Sequence, residues 1–256
     1  MKRIILQKPV KLLILLAGFF ITNALIAEFI GVKIFAFEET FGISPFNWNL
    51  FGHQGSLMLS AGVLIWPVVF ISTDVINEYF GKRVVKILSY LTAGLIFYAF
   101  LVIIGSIYLA PAGFWIGDFA DQGVPDMQKA YATIFGQGSW IIVASLLAFL
   151  IGQLLDAMIF ERLRRATGDK KVWLRATGST LISQFFDSFI VLYVAFVLGP
   201  PQWEMSLFLA VGTVNYSYKF MVAILMTPLI YLTHGLIDKY LGEKLSKKLR
   251  KQALGN

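Results

Sequence analysis

The sequence predicts an all-α integral membrane protein with six transmembrane helices. Of its 256 residues, 57% are hydrophobic and only 14% are charged, and the mean hydropathy is +0.72. A soluble domain has about 45–50% apolar and about 25% charged residues. The apolar residues also fall into six runs. Each run is long enough to cross a bilayer core of about 30 Å, which needs a helix of about 20 residues.

The ends of the six predicted helices are set by turn-forming and charged residues. The first apolar run follows a basic N-terminal segment, as in a signal peptide, but no convincing cleavage site closes it, so we expect it to be retained as a helix. Pro111 ends the third helix and Pro228 is expected to kink the sixth. The predicted helices are 12–36, 57–80, 84–110, 139–163, 176–198 and 205–235, with loops at 38–56, 111–138 and 164–175.

The basic residues predict how the chain is oriented. With six spans both termini share one side, and that side would carry 19 of the 22 Lys and Arg residues. Because Lys and Arg concentrate in cytoplasmic loops, both termini are predicted to be cytoplasmic. We therefore expect residues 1–240 to form a single six-helix domain and 241–256 a basic cytoplasmic tail. The net charge of +7 is interpreted as orientation signal and lipid-facing charge, not as a nucleic-acid-binding surface.

Several kinds of chemistry lack the residues they would need. The sequence has no Cys, and therefore no disulfide, thiolate metal site or thiol nucleophile. It has no phosphate-binding loop, no H-E-x-x-H and no G-x-S-x-G. His53 and His234 stand in no metal-ligand pattern. The sequence therefore predicts no enzymatic activity, no metal and no cofactor.

A repeated polar pattern interrupts two of the apolar runs. Gln153 and Asp156 lie three residues apart in the fourth helix, and Gln184 and Asp187 repeat that spacing in the fifth. This spacing puts both side chains on one helical face. An ionisable residue inside a membrane is costly and indicates a functional site by default. Two copies on antiparallel helices also suggest inverted repeats, as transporters use.

Polar residues of the second and sixth helices are predicted to join this site. Asp74 and Glu78 are four residues apart and share a face. Lys219 is about as deep as Asp187, and a lone Lys at that depth needs a carboxylate partner or a cavity. Asp187 is its first candidate partner. The predicted substrate-binding residues are Asp74, Asn77, Glu78, Gln153, Asp156, Gln184, Asp187, Asn215 and Lys219.

Each of these acids also has an ordinary structural explanation. Glu78 would face water near the cytoplasmic end or pair with Lys82 or Arg83, and Asp156 would pair with the arginines that end the fourth helix. Asp187 and Lys219 would form a structural ion pair. A buried pair is weak evidence for stability, and both explanations stay open for each residue at this point.

Four segments resemble the signatures of the queuosine-precursor transporter family, also called the vitamin-uptake-transporter type. They agree with the family in order and spacing and extend from about residue 20 to 240. The chain departs from the family in the first helix, at a position a few residues after Asn23. The family has a Lys there, whereas this chain has Glu28. The matching segments are TDVINEYFGKR at 73–83, ASLLAFL at 144–150 with Gln153 and DAMIF at 156–160, LR at 174–175 with GSTLISQ at 178–184 and DS at 187–188, and YK at 218–219 with TP at 227–228.

The resemblance implies import of 7-cyano-7-deazaguanine or 7-aminomethyl-7-deazaguanine across a bacterial cytoplasmic (inner) membrane. A carboxylate would accept the ring N–H and the exocyclic amine of such a base. Amide or ammonium groups would donate to its carbonyl, and an aromatic wall would stack on the ring. The implied partners are this purine-like base and the lipid bilayer, without nucleic acid. The resemblance implies no particular oligomeric state.

The mechanism we expect is alternating access around a site at the membrane midplane. The first alternative is a substrate-binding subunit of an ATP-driven uptake system for a vitamin-like solute. The second is an intramembrane enzyme. A channel is least favoured, because several acids with a Lys make a poor open pore. The sequence leaves open whether protons, sodium ions or neither drive transport.

Overall fold

The computed structural model describes residues 7–136, 138–168 and 171–254, so Lys2, Arg3 and Lys170 lie outside the described residues. Four short strands form two antiparallel pairs, β1 (Ile34–Ala36) with β4 (Met58–Ser60) and β2 (Trp48–Leu50) with β3 (His53–Gly55). The described α-helices are α1 (Lys8–Ile30), α2 (Phe37–Phe41), α3 (Trp66–Phe80), α4 (Lys82–Ile107), α5 (Gly113–Ile116), α6 (Met127–Phe135), α7 (Ser139–Thr167), α8 (Val172–Leu192), α9 (Met205–Leu225), α10 (Thr227–Leu241) and α11 (Glu243–Ala253).

Within the described residues, five helical segments are long and apolar enough to cross a membrane. They are α1, α4, the segment containing α7, α8 with its π-helical continuation Tyr193–Leu198, and α9. This confirms the all-α membrane fold. The count of six spans and the cytoplasmic termini stay predictions. The predicted second span contains α3. Its 15 residues make a helix about 22 Å long, which is shorter than the bilayer core of about 30 Å.

Helix α3 lies at the centre of the protein. It packs against α1, α4, α7, α8, α10 and α11, and eleven of its 15 residues are buried. Pro67 lies in its first turn, where the missing N–H costs nothing. Its buried set includes polar and charged residues as well as apolar ones. Most of the helix therefore contacts protein, and the polar groups it carries face other helices.

The N-terminal half contains strands where helix was predicted. The first helix ends at Ile30, not 36, and residues 57–65 are not α-helical, because β1 pairs with β4. Ser60, in β4, links the end of α1 to the turn that follows β4. Its Oγ donates to the Gly31 carbonyl and accepts from the Gly62 N–H. A Cβ at Gly62 would lie 2.5 Å from the Ala27 carbonyl oxygen. A short apolar run does not distinguish strand from helix, so the prediction there was wrong.

The C-terminal half differs from the predicted bounds in two places. The predicted basic loop 164–175 is mostly helical, since α7 continues to Thr167 and α8 begins at Val172. The predicted helix 205–235 is two helices, α9 and α10, separated at Met226. Pro228 lies in the first turn of α10, so the expected kink is a break between helices. The predicted loops 38–56 and 111–138 contain the short elements α2, β2, β3, α5 and α6.

Glu38 ties the hairpin region together. It is buried, and its Oε1 accepts the Leu57 N–H at 2.7 Å and the Phe46 N–H at 3.4 Å. Burial by itself would raise the pKa of Glu38, but these backbone donors lower that pKa below its ordinary value of 4.5. Hydrogen bonds to a carboxylate favour its charged form.

We expect Glu38→Gln to lower the free energy of unfolding by about 1–3 kcal/mol at neutral pH, because a charged hydrogen bond is lost. The contribution of a carboxylate with a lowered pKa is complete above its unfolded pKa and is lost as pH falls through the folded value. Thermal unfolding in detergent would then show a gap between wild type and variant at pH 7 that narrows below pH 4.5. A pH-independent gap would contradict this account.

Gly81 should tolerate a side chain poorly. Its φ is +85°, in the left-handed region, and a Cβ there would lie 3.0 Å from the Ala253 carbonyl oxygen. We expect Gly81→Ala to destabilise the protein by about 1–2 kcal/mol. Thermal unfolding of purified protein would measure this. Gly94→Ala is the matched control, because nothing lies within 4 Å of its added methyl and Ala favours a helix interior; equal effects would contradict the prediction.

Candidate functional site

Glu78 is the centre of a buried ionic cluster. It is 0% exposed, and its Oε1 lies 2.8 Å from Nη2 of Arg175 and 3.7 Å from Nε of Arg250. Its Oε2 lies 3.5 Å from Nε of Arg164. We call Glu78 with these three arginines the Glu78 cluster. The arginines come from α8, α11 and α7, so one carboxylate of α3 joins three other helices.

The arginines of the cluster also have backbone partners. Arg175 Nη1 donates to the Gly168 carbonyl at 2.7 Å. Arg164 donates to the carbonyls of Asn77 at 3.3 Å and of Arg250 at 2.8 Å. Arg164 and Arg175 are both buried, so the expectation that the basic residues carry lipid-facing charge is wrong for these two, while their part in setting the orientation stays a prediction. A guanidinium can satisfy several acceptors at once, which suits it to burial here.

Helix α11 packs over the Glu78 cluster. Arg250 pairs with Asp238 of α10 at 2.7 Å and donates to the Tyr79 hydroxyl at 2.7 Å. Tyr79 in turn donates to Asp238 at 2.7 Å. Lys82, in the basic turn expected to pair with Glu78, forms its ion pair with Glu161 instead. The segment predicted as a tail is therefore a helix packed against α3 and α10.

A second polar layer lies one turn along α3 from Glu78. Asp74 is 1% exposed and Asp156 is 0% exposed. Hydrogen bonds from Thr73 to Gln153 and from Asn77 to the Ala157 carbonyl hold together the stretches of α3 and α7 that carry them. We call these two residues the carboxylate pair. Asp156 Oδ1 accepts from the hydroxyls of Thr180 at 3.4 Å and Ser183 at 3.3 Å. The Ser179 hydroxyl is a third partner of Asp156. Hydroxyl groups, and not the arginines at the end of α7, therefore surround this carboxyl.

Three atoms of this layer have no hydrogen-bond partner among the described residues: Asp74 Oδ1, Asp156 Oδ2 and Gln153 Nε2. Gln153 Oε1 is satisfied, because the Thr73 hydroxyl donates to it at 2.9 Å. Most buried polar atoms in proteins are hydrogen-bonded, and an exception calls for an explanation.

The expected ion pair between α8 and α9 is present. Lys219 Nζ lies 2.5 Å from Asp187 Oδ2, and the side chains are 14% and 21% exposed. Asp187 approaches α7 where Gly152 has no side chain, since a Cβ at Gly152 would lie 3.6 Å from the Asp187 Cβ. With Asp156 beside Ser183, this places α7 and α8 antiparallel, as the repeated Gln-x-x-Asp pattern predicts.

A groove opens beside this ion pair between α3, α8 and α9. Its cavity has a volume of about 30 Å³. Its lining includes the aromatic residues Trp66 and Phe70 of α3 and Tyr218 of α9, and the polar residues Thr180 and Gln184 of α8 and Lys219 of α9. The lining residues are Val63, Trp66, Pro67, Phe70, Thr180, Gln184, Tyr218, Lys219, Val222 and Ala223.

Two of the nine predicted substrate-binding residues, Gln184 and Lys219, line the groove. Gln184 is buried, and its Nε2 has no hydrogen-bond partner in the described part of the chain. Asp187 is bound to Lys219, and half-buried Asn215 precedes Lys219 by one turn of α9. The other predicted residues lie deeper: Asp74, Gln153 and Asp156 in the second polar layer, and Asn77 and Glu78 at the Glu78 cluster.

Sequence reasoning did not single out the aromatic residues of the groove. Trp66, Phe70 and Tyr218 are three of 39 aromatic residues in the chain, and most aromatic side chains in such a protein face lipid or the interface. The Tyr218-Lys219 pair was part of the family resemblance, which is the one signal that pointed to Tyr218. Glu28, whose role the sequence left open, is buried on α1 with the Ser145 hydroxyl as a partner.

The family model described as "Putative vitamin uptake transporter" matches residues 60–233. A Bacillus subtilis protein named "Probable queuosine precursor transporter" is 32% identical over 190 residues, covering 74% of this chain and 76% of that protein. The Escherichia coli "Queuosine precursor transporter" is 25% identical over 193 residues, covering 75% and 79%. No solved structure matches. The chain therefore belongs to the putative vitamin uptake transporter family and is a transporter, not an enzyme.

Proposed function

We propose that this protein imports a queuosine precursor, a 7-deazaguanine base with a cyano or aminomethyl group at position 7, across the bacterial inner membrane. The observation that carries the proposal is the groove, which combines three aromatic lining residues with buried polar groups in a chain whose relatives are named for these solutes. Ligand sites are typically apolar clefts with a few polar groups that fix orientation.

The groups around the groove suit the edge of a deazaguanine. The ring N–H and exocyclic amine are adjacent donors, and Asp187 is a carboxylate able to accept both. The Gln184 Nε2 group, which has no hydrogen-bond partner among the described residues, would donate to the ring carbonyl, as would Lys219. Trp66 and Tyr218 line the groove and would stack on the flat ring. Asn215 is the further polar group that we assign to this site.

The groove must widen before it holds such a ligand. About 30 Å³ of it is open to water, which is room for about two water molecules. A bicyclic base needs several times that space, so binding requires the helices around the groove to separate. Near the opposite end of α3 from the groove, the Glu78 cluster holds four helices together. This combination supports alternating access, with the Glu78 cluster as the closed cytoplasmic gate.

Asp187→Asn is expected to abolish uptake while the protein remains inserted, because the variant loses the acceptor and the partner of Lys219. Cells unable to make 7-cyano-7-deazaguanine would be supplied with it, and queuosine in their tRNA would be measured. The charge-swapped double variant Asp187→Lys, Lys219→Asp distinguishes the two roles. Restored uptake in the swap would show that the pair is structural and would contradict the binding role.

Gln184→Ala is expected to lower the affinity for the base about tenfold, because one hydrogen bond to a buried ligand is worth about 1 kcal/mol or more. Binding of labelled 7-cyano-7-deazaguanine to purified protein would measure this. The matched control is Gln122→Ala, in an exposed turn. Equal affinities for the two variants would remove Gln184 from the site.

Reconstitution of the purified chain alone separates this proposal from the ATP-driven alternative. Vesicles preloaded with unlabelled base should accumulate labelled base by exchange without ATP or any partner. If exchange appears only when an ATP-hydrolysing partner is added, the chain is a substrate-binding subunit.

A further inference from the structure

We propose that the carboxylate pair, Asp74 and Asp156, holds one shared proton and that this proton is carried inward with the substrate. The inference rests on the proposed function, since it assigns the ion that drives the same transport. It gives the two acids a role separate from the groove.

The carboxylate pair is incompletely hydrogen-bonded among the described residues. Asp74 Oδ1 and Asp156 Oδ2 lack hydrogen-bond partners in the described structure, although both side chains are almost completely buried. Two neighbouring carboxylates in a buried site cannot both stay ionised without a cation between them. A single proton on one carboxyl, donated to the other, gives both orphaned oxygens a partner at once.

The charged groups around the carboxylate pair have partners of their own. Glu78 and Arg175 are the further charged groups whose fields reach Asp74, and Arg175 is already bound to Glu78. The hydroxyls of Ser179, Thr180 and Ser183 are the partners of Asp156. Other titratable groups on the surrounding helices have their own contacts: Glu28 with Ser145, Lys82 with Glu161, Arg164 and Arg250 with Glu78, His234 with Tyr79, and Lys219 with Asp187.

A proton fits this location better than a metal ion. A metal cation needs a cavity and several oxygen ligands around it, whereas neither member of the pair lines the groove or is exposed to solvent. A proton needs only an O–H bond on one carboxyl and an acceptor on the other. When the site is exposed to the outside, an O–H bond forms with a proton from water. It breaks when the site faces the cytoplasm, returning the proton to water there.

Helix α8 connects the pair to the groove. Thr180 lines the groove and also donates to Asp156. Ser183 donates to Asp156, and the next residue, Gln184, lines the groove. A substrate that moves α8 therefore changes the hydrogen bonds to Asp156, and protonation of Asp156 changes the groove. Two sites linked in this way affect each other reciprocally, which is what coupled transport requires.

The test uses the full chain, reconstituted in vesicles with a trapped pH-sensitive dye, equal pH on both sides and the membrane potential clamped. Added 7-cyano-7-deazaguanine should enter and acidify the lumen. Asp74→Asn and Asp156→Asn, which keep the side-chain shape, should slow acidification at least tenfold. Asp118→Asn, in an exposed loop, is the matched control and should acidify at the wild-type rate.

Each other outcome overturns a defined part of the proposal. Substrate entry without acidification removes proton coupling, and entry that depends on sodium assigns that ion instead. Acidification that persists in both folded Asn variants removes the pair. If a variant does not fold, as judged by thermal unfolding, the wild-type dye signal decides proton coupling and the other variant decides the site. Absence of both exchange and entry in wild type contradicts the proposed function itself.

Discussion

The structure depends first on the carboxylate of Glu78. A charge with no exposure to water is tolerated only with partners, and here three arginines from three helices supply them. Removing one partner of such a cluster leaves an uncompensated buried charge, which costs about 3–5 kcal/mol. Inside a bilayer, no hydrophobic driving force brings helices together. Polar contacts such as these therefore help determine which helices pack against each other. Glu78 therefore determines how α3, α7, α8 and α11 meet.

From that end, the polar groups are arranged in layers with different degrees of exposure. The Glu78 cluster is ion-paired, the carboxylate pair has hydroxyl partners and orphaned oxygens, and the Asp187–Lys219 pair is half-open beside the groove. Four-residue spacing on α3 and three-residue spacing on α7 and α8 set this order. Each layer is suited to a different role in the proposed cycle: closure, protonation and substrate contact.

The membrane class, most helix positions and the Asp187–Lys219 pair could be predicted from the sequence, because hydropathy and the cost of a lone buried Lys are local signals. The partners of Glu78 could not, since Arg164, Arg175 and Arg250 are distant in sequence and resemble ordinary loop cations. The strands near residues 34 and 58 were missed because pairing between them is non-local. The groove was missed because its wall combines α3 with α9, and no spacing rule links Trp66 to Tyr218.

The break at Met226 has a mechanical consequence. Helix α9 carries the groove residues Tyr218 to Ala223, whereas α10 carries Asp238, which is tied to Tyr79 and Arg250. A continuous helix would transmit any tilt at the groove directly to those ties. In the proposed cycle, the break at Met226 would let α9 swing outward while α10 stays tied to Tyr79 and Arg250. An importer that never opens both ends at once needs this kind of independence.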